Sequence, residues 1–483
     1  MSLKTKLLAV TLIGTLAAGG FAGINSLTTD NSQVSAKSDA AKVSKENVSQ
    51  KPPKNVIVMV GDGMGIGQLE VARLMEYGKE GRLNMESLEN VALMHTYSAN
   101  NTVTDSGAAG TAIATGTKTN NESIGVDENG NEVKSMLDAF QARGKKVGVI
   151  SNNTVTDATP AAFTASVPNR WSGQAEVAKQ MLENEYDVLL GGGATYFEPK
   201  RHNGVDLVEK FEEKGYTYVT DRNELNNAGT PDKLLGLFHS SYMNYKTDKD
   251  DVNSNEPTLN EMTKKAIDVL SNGKDGFFLM VEGARIDHAS HAADFTGIWK
   301  ETIEFDNTVK DVVEWAKDRN DTLVVVLADH ETMGVSATET MDIEGLKAID
   351  VSPEFMAGKL VIEDGTATAE SVKSVFKEYA NIELTDEEVA EFQDNIKDAE
   401  GKVYAAYRTG WEIGSVIAKH NKVGVLDRAV RAESTTGGHT GNMVPVFATG
   451  TGSERFEGVL DNTDVIKLIA EAARQEYAHP AGK

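Results

Sequence analysis

Six runs of nearly unbroken apolar residues set the first constraint on the fold. They are NVIVMV (55–60), KVGVIS (146–151), YDVLLG (186–191), GFFLMVE (276–282), TLVVVLA (322–328) and MVPVFATG (443–450). A strand with one face in water alternates apolar and polar residues, whereas a strand covered on both faces reads as a continuous apolar run. Amphipathic helical stretches separate these runs, which is the pattern of an α/β fold: a mainly parallel central sheet with helices on both faces. Ligands are expected at the carboxyl ends of the strands.

At 483 residues the chain has room for a catalytic domain with elaborations. The core is expected over 55–339 and 436–483. Two regions read as additions to it: a polar, weakly periodic segment at about 200–262 and a helical insertion at 340–435. In the insertion, AESVKSVFKEYA (369–380) is one helix, and Thr385 with Glu388 forms a capping-box pattern opening a second. A third is expected over 402–420.

Lys4 and Lys6 precede the apolar run LLAVTLIGTLAAGGFAG, and Val34-Ser35-Ala36 offers small residues for cleavage. Residues 1–36 therefore read as a secretory signal peptide, with an uncleaved anchor as the alternative. Residues 37–54 read as a flexible linker ending in Pro52-Pro53. The expected location is secreted, extracellular or in the cell envelope, with no stable membrane span after signal cleavage. The chain has no cysteine, so an exported protein would be held by its core and by metals rather than by disulfides. A net charge of −25 argues against a sequence-independent grip on nucleic acid. It would also repel a phosphorylated substrate unless bound cations or a local arginine reverse the sign.

The first apolar run leads into VGDGMGIGQ, with glycines at 61, 63, 65 and 67. The dinucleotide fingerprint G-x-G-x-x-G does not fit, because its last glycine would fall on Ile66 or Gln68. A carboxylate inside a phosphate-cradling loop would also repel the ligand. The loop reads instead as a tight turn that presents Asp62.

Other acidic and imidazole residues fall near strand ends in the same way. Glu282 closes the 276–282 run, Asp287 and His291 follow at i and i+4, Asp329-His330 follows 322–328, and His439 shortly precedes 443–450. Side chains at i and i+4 share a helix face and can share a metal. A mixed Asp/His set suits Zn²⁺ and an all-oxygen set suits Mg²⁺. In NTVTDSGAAGTAIATG, Ser106 heads a small-residue helix, where backbone N–H groups favour an anion on its oxygen. The same TDSG would serve as a plain helix cap, and a Ser–His pair is a third reading, although G-x-S-x-G is absent. TDATPAAFTASVPNR adds Asp157, Thr159 and Arg170, the last a bidentate partner for phosphate or carboxylate.

These motifs, in this order over residues 55–450, resemble the alkaline phosphatase family: VGDG, VTDSGAAGTA, DATPAA followed by Arg170, VEGARIDHASH, ADHET and GGHTG. The resemblance implies an alkaline phosphatase that hydrolyses phosphate monoesters through a phosphoserine on Ser106. It implies Asp287, His291 and His439 as ligands of one zinc, and Asp62, Asp329 and His330 as ligands of a second. Asp62, Thr159 and Glu282 would hold a magnesium, Arg170 would grip phosphate, and the enzyme would be a homodimer. Asp157 and His288 are further candidates for the substrate side. His288 stands where the enterobacterial pattern has lysine, and it could reach phosphate through water, ligate a metal or serve as a polar neighbour. A phosphodiesterase of this type would lack the third-metal set, and a sulfatase would carry a Cys or Ser modification motif. A non-catalytic binding module would leave Ser106 and Arg170 without a distinct purpose.

Overall fold

Asn55–Gly61, the first apolar run, is the central strand of the structure, and all of its residues are buried. The computed structural model describes residues 51–249 and 251–474. The signal-peptide reading and most of the expected linker lie outside them. Among the described residues, no helix is long and apolar enough to cross a membrane.

The chain forms β1 (Asn55–Gly61), β2 (Asn90–His95), β3 (Lys146–Thr154), β4 (Val188–Gly192), β5 (Tyr216–Val219), β6 (Lys233–Leu237), β7 (Phe277–Gly283) and β8 (Thr322–Ala328). A short β9 (Glu331–Thr332) and a small hairpin, β10 (Ile362–Glu363) with β11 (Thr366–Ala367), follow. The last strands are β12 (His439–Thr440), β13 (Val444–Gly450) and β14 (Gly458–Asp461). The main sheet has ten strands in the order β14-β2-β13-β8-β1-β7-β3-β4-β6-β5. Every neighbouring pair is parallel except those of β13, which runs antiparallel to both β2 and β8. This is the expected α/β architecture, and each of the six apolar runs supplies a strand of the sheet.

Three features depart from the sequence reading or go beyond it. The late run 443–450 joins the sheet in reverse. The polar segment 200–262 contributes β5 and β6, which extend the sheet at one edge. The third helix of the 340–435 region begins at Ala406, not at 402. The other two helices expected there lie at Ala369–Ala380 and Asp386–Asn395, and the region also holds short helices at Ile343–Lys347, Pro353–Ala357 and Arg428–Glu433. Thr385 and Glu388 close the expected capping box.

Candidate active site

Strand register brings the acidic residues together. Gly61 pairs with Gly283 of β7 and with Ala328 of β8, so Asp62 and Asp329 leave adjacent strands at one level. Glu282, opposite Val60 and Ser151, lies on the strand beside them. Because β13 is antiparallel, the residues before it reach the same edge that the other strands reach at their carboxyl ends. His439 arrives there in β12, paired with Thr332 of β9.

Two clusters result. His330 Nε2 lies 3.4 Å from Asp62 Oδ1, 3.3 Å from Asp329 Oδ2 and 3.1 Å from Ser106 Oγ. The helix Arg285–His291 brings Asp287 Oδ2 within 3.3 Å of His291 Nε2, the i, i+4 pairing expected from the sequence. His439 Nε2 is 3.1 Å from His291 Nε2 and 3.7 Å from Asp287 Oδ1. Asp62, Asp329 and His330 form one group able to hold a metal, and Asp287, His330 and His439 form another.

The ring nitrogens facing outward fix the tautomers. His439 Nδ1–H donates to the Thr104 carbonyl at 3.0 Å, and His291 Nδ1–H to that of Gly437 at 3.1 Å. Thr332 donates its hydroxyl to Asp287 at 2.5 Å and so accepts from His330 Nδ1–H at 3.3 Å. All three Nε2 lone pairs therefore point inward, the arrangement by which such partners orient metal-binding histidines.

The electrostatics are those of a site that needs cations. Burial, followed by the charges of Asp329 and Asp287, raises Asp62 well above the usual carboxylate range. Burial likewise raises Glu282 to about 8 and Asp329 to about 7. Burial also pushes Asp287 up, but the facing imidazoles, His291 first, outweigh it and hold this carboxyl well below its ordinary value. Burial lowers His330 to about 4 and His439 to about 3, so both rings are neutral near pH 7. Asp62 Oδ1, Asp329 Oδ2 and Thr159 Oγ1 are buried without a hydrogen-bond partner. Buried polar atoms are almost always paired, so these orphans and the inward lone pairs fit divalent cations.

The Gly63 turn closes over the site. Its φ is +67°, and a Cβ there would lie 2.8 Å from Asp287 Oδ1 and Thr332 Oγ1. Only glycine gives both the left-handed turn and the close approach. Its N–H donates to Asp329 Oδ1 at 3.1 Å.

Ser106 is the first residue of the helix Ser106–Thr115, which Asp105 caps by accepting from the Ala108 N–H at 3.0 Å. The cap and the reactive-serine readings thus fall on adjacent residues. The small residues of this helix let Gly110 pack against Thr159 and Ala162, which seats Thr159 near the acidic cluster. Arg170 is buried. Its Nη1 donates to Asp105 Oδ2 at 3.0 Å, and its Nη2 lies 3.6 Å from Asp157 Oδ1. Asp157, Asp105 and Asp62 outweigh the burial penalty, and its pKa is raised further.

His288 points elsewhere than its neighbour Asp287. Arg285 Nη1 donates to its Nδ1 at 2.5 Å, which leaves Nε2 carrying the proton. Burial, with the Arg285 charge, lowers this imidazole to about 3. Ser106, Asp105, Arg170, His288 and the His291–His439 pair all line one cleft of about 880 Å³.

Sequence reasoning missed Asp105 as the partner of Arg170, Thr332 between His330 and Asp287, and Ser151, which donates to Glu282. Each acts through a contact across the fold that no spacing rule encodes.

A mainly parallel sheet that gathers carboxylate and imidazole clusters around one serine hydroxyl and one buried arginine has the make-up of a metal-dependent phosphoryl hydrolase. The alkaline phosphatase family model matches residues 53–475. Alkaline phosphatase 4 of Bacillus subtilis is 34% identical over 484 residues, covering 97% of this chain and 96% of that protein. The crystal structure of Thermus thermophilus alkaline phosphatase superimposes with a TM-score of 0.78 at 29% identity, covering 89% of this chain and 93% of that one. A cold-active alkaline phosphatase from a psychrophilic Shewanella gives 0.72 at 30% identity, covering 87% and 99%. The chain belongs to the alkaline phosphatase family, whose members are phosphoric monoester hydrolases.

Proposed function

We propose that the chain hydrolyses phosphate monoesters through a covalent phosphoserine on Ser106, at a site holding two Zn²⁺ and one Mg²⁺. The inward-facing Nε2 lone pairs beside the Ser106 hydroxyl carry this reading. Asp287, His291 and His439 would hold one zinc and Asp62, Asp329 and His330 the other. Asp62, Thr159 and Glu282 offer the all-oxygen set suited to magnesium. When bound, the cations supply positive charge that acidifies hydroxyl and water and offsets charge developing on the phosphoryl oxygens.

The residues of the chain divide the remaining work. Arg170, held by Asp105 and Asp157, binds two phosphoryl oxygens and turns phosphorus toward Ser106. Ser106 Oγ, its hydroxyl proton released to solvent, forms the new bond to phosphorus as the bond to the ester oxygen breaks in line on the side of Asp287, His291 and His439. That oxygen takes a proton from water and leaves as the alcohol. Water then cleaves the phosphoserine and releases inorganic phosphate. His288, protonated on Nε2, faces the cleft as a hydrogen-bond donor for phosphate or its waters. The basic start and apolar run of the N-terminal sequence support export, and a homodimer is what the family resemblance implies.

The 3.1 Å contact from Ser106 to His330 also fits a Ser–His pair without metals. Two observations count against that arrangement. The orienting partner of His330 Nδ1 is Thr332 rather than a carboxylate, and His330 Nε2 faces two carboxylates as well as the serine. Turnover of p-nitrophenyl phosphate before and after chelation separates the two, with metal analysis alongside. Loss on chelation and recovery with zinc and magnesium is expected, and full activity in metal-free protein would exclude the scheme. Ser106→Ala should abolish turnover with metal content preserved.

A further inference from the structure

Among the described residues exposed aromatic rings are few, and more than half of them stand at the cleft. Among the described residues the exposed ones are Tyr77, Tyr97, Trp171, Tyr242 and Tyr407, and the last three line the active-site cleft. Trp171, next to Arg170, is 63% exposed and Tyr407 is 46% exposed. An open ring is costly to leave in water, and a cluster of them at a cleft marks a binding surface.

The wall formed by the helix Ala406–His420 is more specific. Trp411 lies flat on the His291 ring, with centroids 5.2 Å apart and planes within 11°. Tyr407 stands edge-on to Trp411 at 6.3 Å and 80°. The exposed guanidinium of Arg408 sits 5.2 Å from the Trp411 ring and adds hydrogen-bond donors. His291 belongs to the cluster toward which the ester oxygen departs under the proposed mechanism. The group attached to that oxygen must therefore leave past Trp411 and Tyr407.

We propose that Tyr407 and Trp411, with Arg408 beside them, form a subsite that stacks a heteroaromatic ring of the leaving group, so that the favoured substrates are nucleoside monophosphates. This inference rests on the monoesterase reading above. Every base presents a π face, so such a subsite selects for the presence of a base rather than for its identity. The helical 340–435 region then has a role in the reaction: it builds the side of the cleft that sorts leaving groups.

Adenosine 5′-monophosphate and ribose 5-phosphate test it. Both expel the same kind of primary alkoxide from the same dianionic phosphate and differ in the base. The kcat/KM ratio of the two esters cancels any loss common to both, including one caused by disturbing His291. The wild type should prefer the nucleotide about tenfold, mainly through KM, a factor equivalent to about 1.4 kcal/mol and at the low end for one aromatic face. Tyr407→Ala and Trp411→Leu should bring the ratio close to one, while Tyr407→Phe, which keeps the ring, should retain it. Equal kcat/KM on both esters in the wild type would overturn the subsite. An unchanged preference in a Tyr407→Ala, Trp411→Leu double variant would do the same. Failure to hydrolyse either ester would remove the monoesterase reading itself, and the subsite with it.

Discussion

His291 and His439 face each other through Nε2 atoms 3.1 Å apart, and each donates its Nδ1–H to a backbone carbonyl. With both rings in that tautomer, no proton bridges them. Two lone pairs at that distance repel, and the Asp287 carboxylate nearby adds to the repulsion. A cation between the rings converts repulsion into coordination, so metal binding is also folding stability. Thermal unfolding should shift to higher temperature as free zinc rises. At about 1,000 times the dissociation constant the gain is about 4 kcal/mol. Identical melting curves in chelator and in zinc would contradict this account of the cluster.

Thr332 links the two metal groups by donating to Asp287 and accepting from His330. Thr332→Val keeps the shape and removes both contacts, leaving His330 free to rotate. Zinc affinity, measured by competition with a chromogenic chelator, should fall about 10- to 100-fold, the usual cost of losing a ligand's supporting partner. Unchanged affinity would mean that packing alone holds the His330 ring.

Asp105→Asn separates two functions of one side chain. Asparagine caps a helix as well as aspartate, so the Ser106 helix should keep its stability. What is lost is the negative charge facing Arg170, a charge-assisted contact of about 1.5–3 kcal/mol. KM for p-nitrophenyl phosphate and Ki for inorganic phosphate should both rise at least tenfold, with little change in melting temperature.

At Gly63 any side chain meets Asp287 and Thr332, and the left-handed backbone costs a further ~1–2 kcal/mol. Gly63→Ala should therefore lower kcat/KM more than tenfold together with metal content. A variant with normal metal content and activity would show that the turn can relax without disturbing Asp287.

Asp294 caps the helix Phe295–Ala316 from a buried position. Burial, then the charges of Asp248 and Glu301, raises it from 3.8 to about 8. The folded state thus holds this proton more tightly than the unfolded chain does. The resulting stability is complete below about pH 4 and is lost as pH rises through about 8. Asp294→Asn mimics the protonated form. Its melting temperature relative to wild type should climb across that window, and a flat difference would rule out Asp294 as the source.

The sequence made the main strands and most of the candidate site legible because both are written locally. Val-rich runs mark buried strands, and the acids and imidazoles sit within a few residues of the strand ends. The edge strand Tyr216–Val219 and its neighbour Lys233–Leu237 escaped because they are short and lie in polar surroundings. The direction of the Val444–Gly450 strand depends on its neighbours, which a single run of residues does not record. The same limit hid Asp105 and Thr332, whose partners lie 65 and 45 residues away. For His288 the neighbour that decides its tautomer, Arg285, was in view three residues earlier, but only the fold shows the two side chains meeting.

The two-residue ribbon that pairs Thr332 with His439 has a consequence for how this enzyme can change. Everything between those residues, including the whole 340–435 region, leaves and re-enters the core at a single clasp. A detour with touching ends is cheap to resize, since doubling its length adds only about 0.6 kcal/mol of closure entropy. The clasp also carries a catalytic-edge histidine on one side and its neighbour's supporting threonine on the other. That region can therefore be lengthened or shortened while Thr332 and His439 beneath it stay in register.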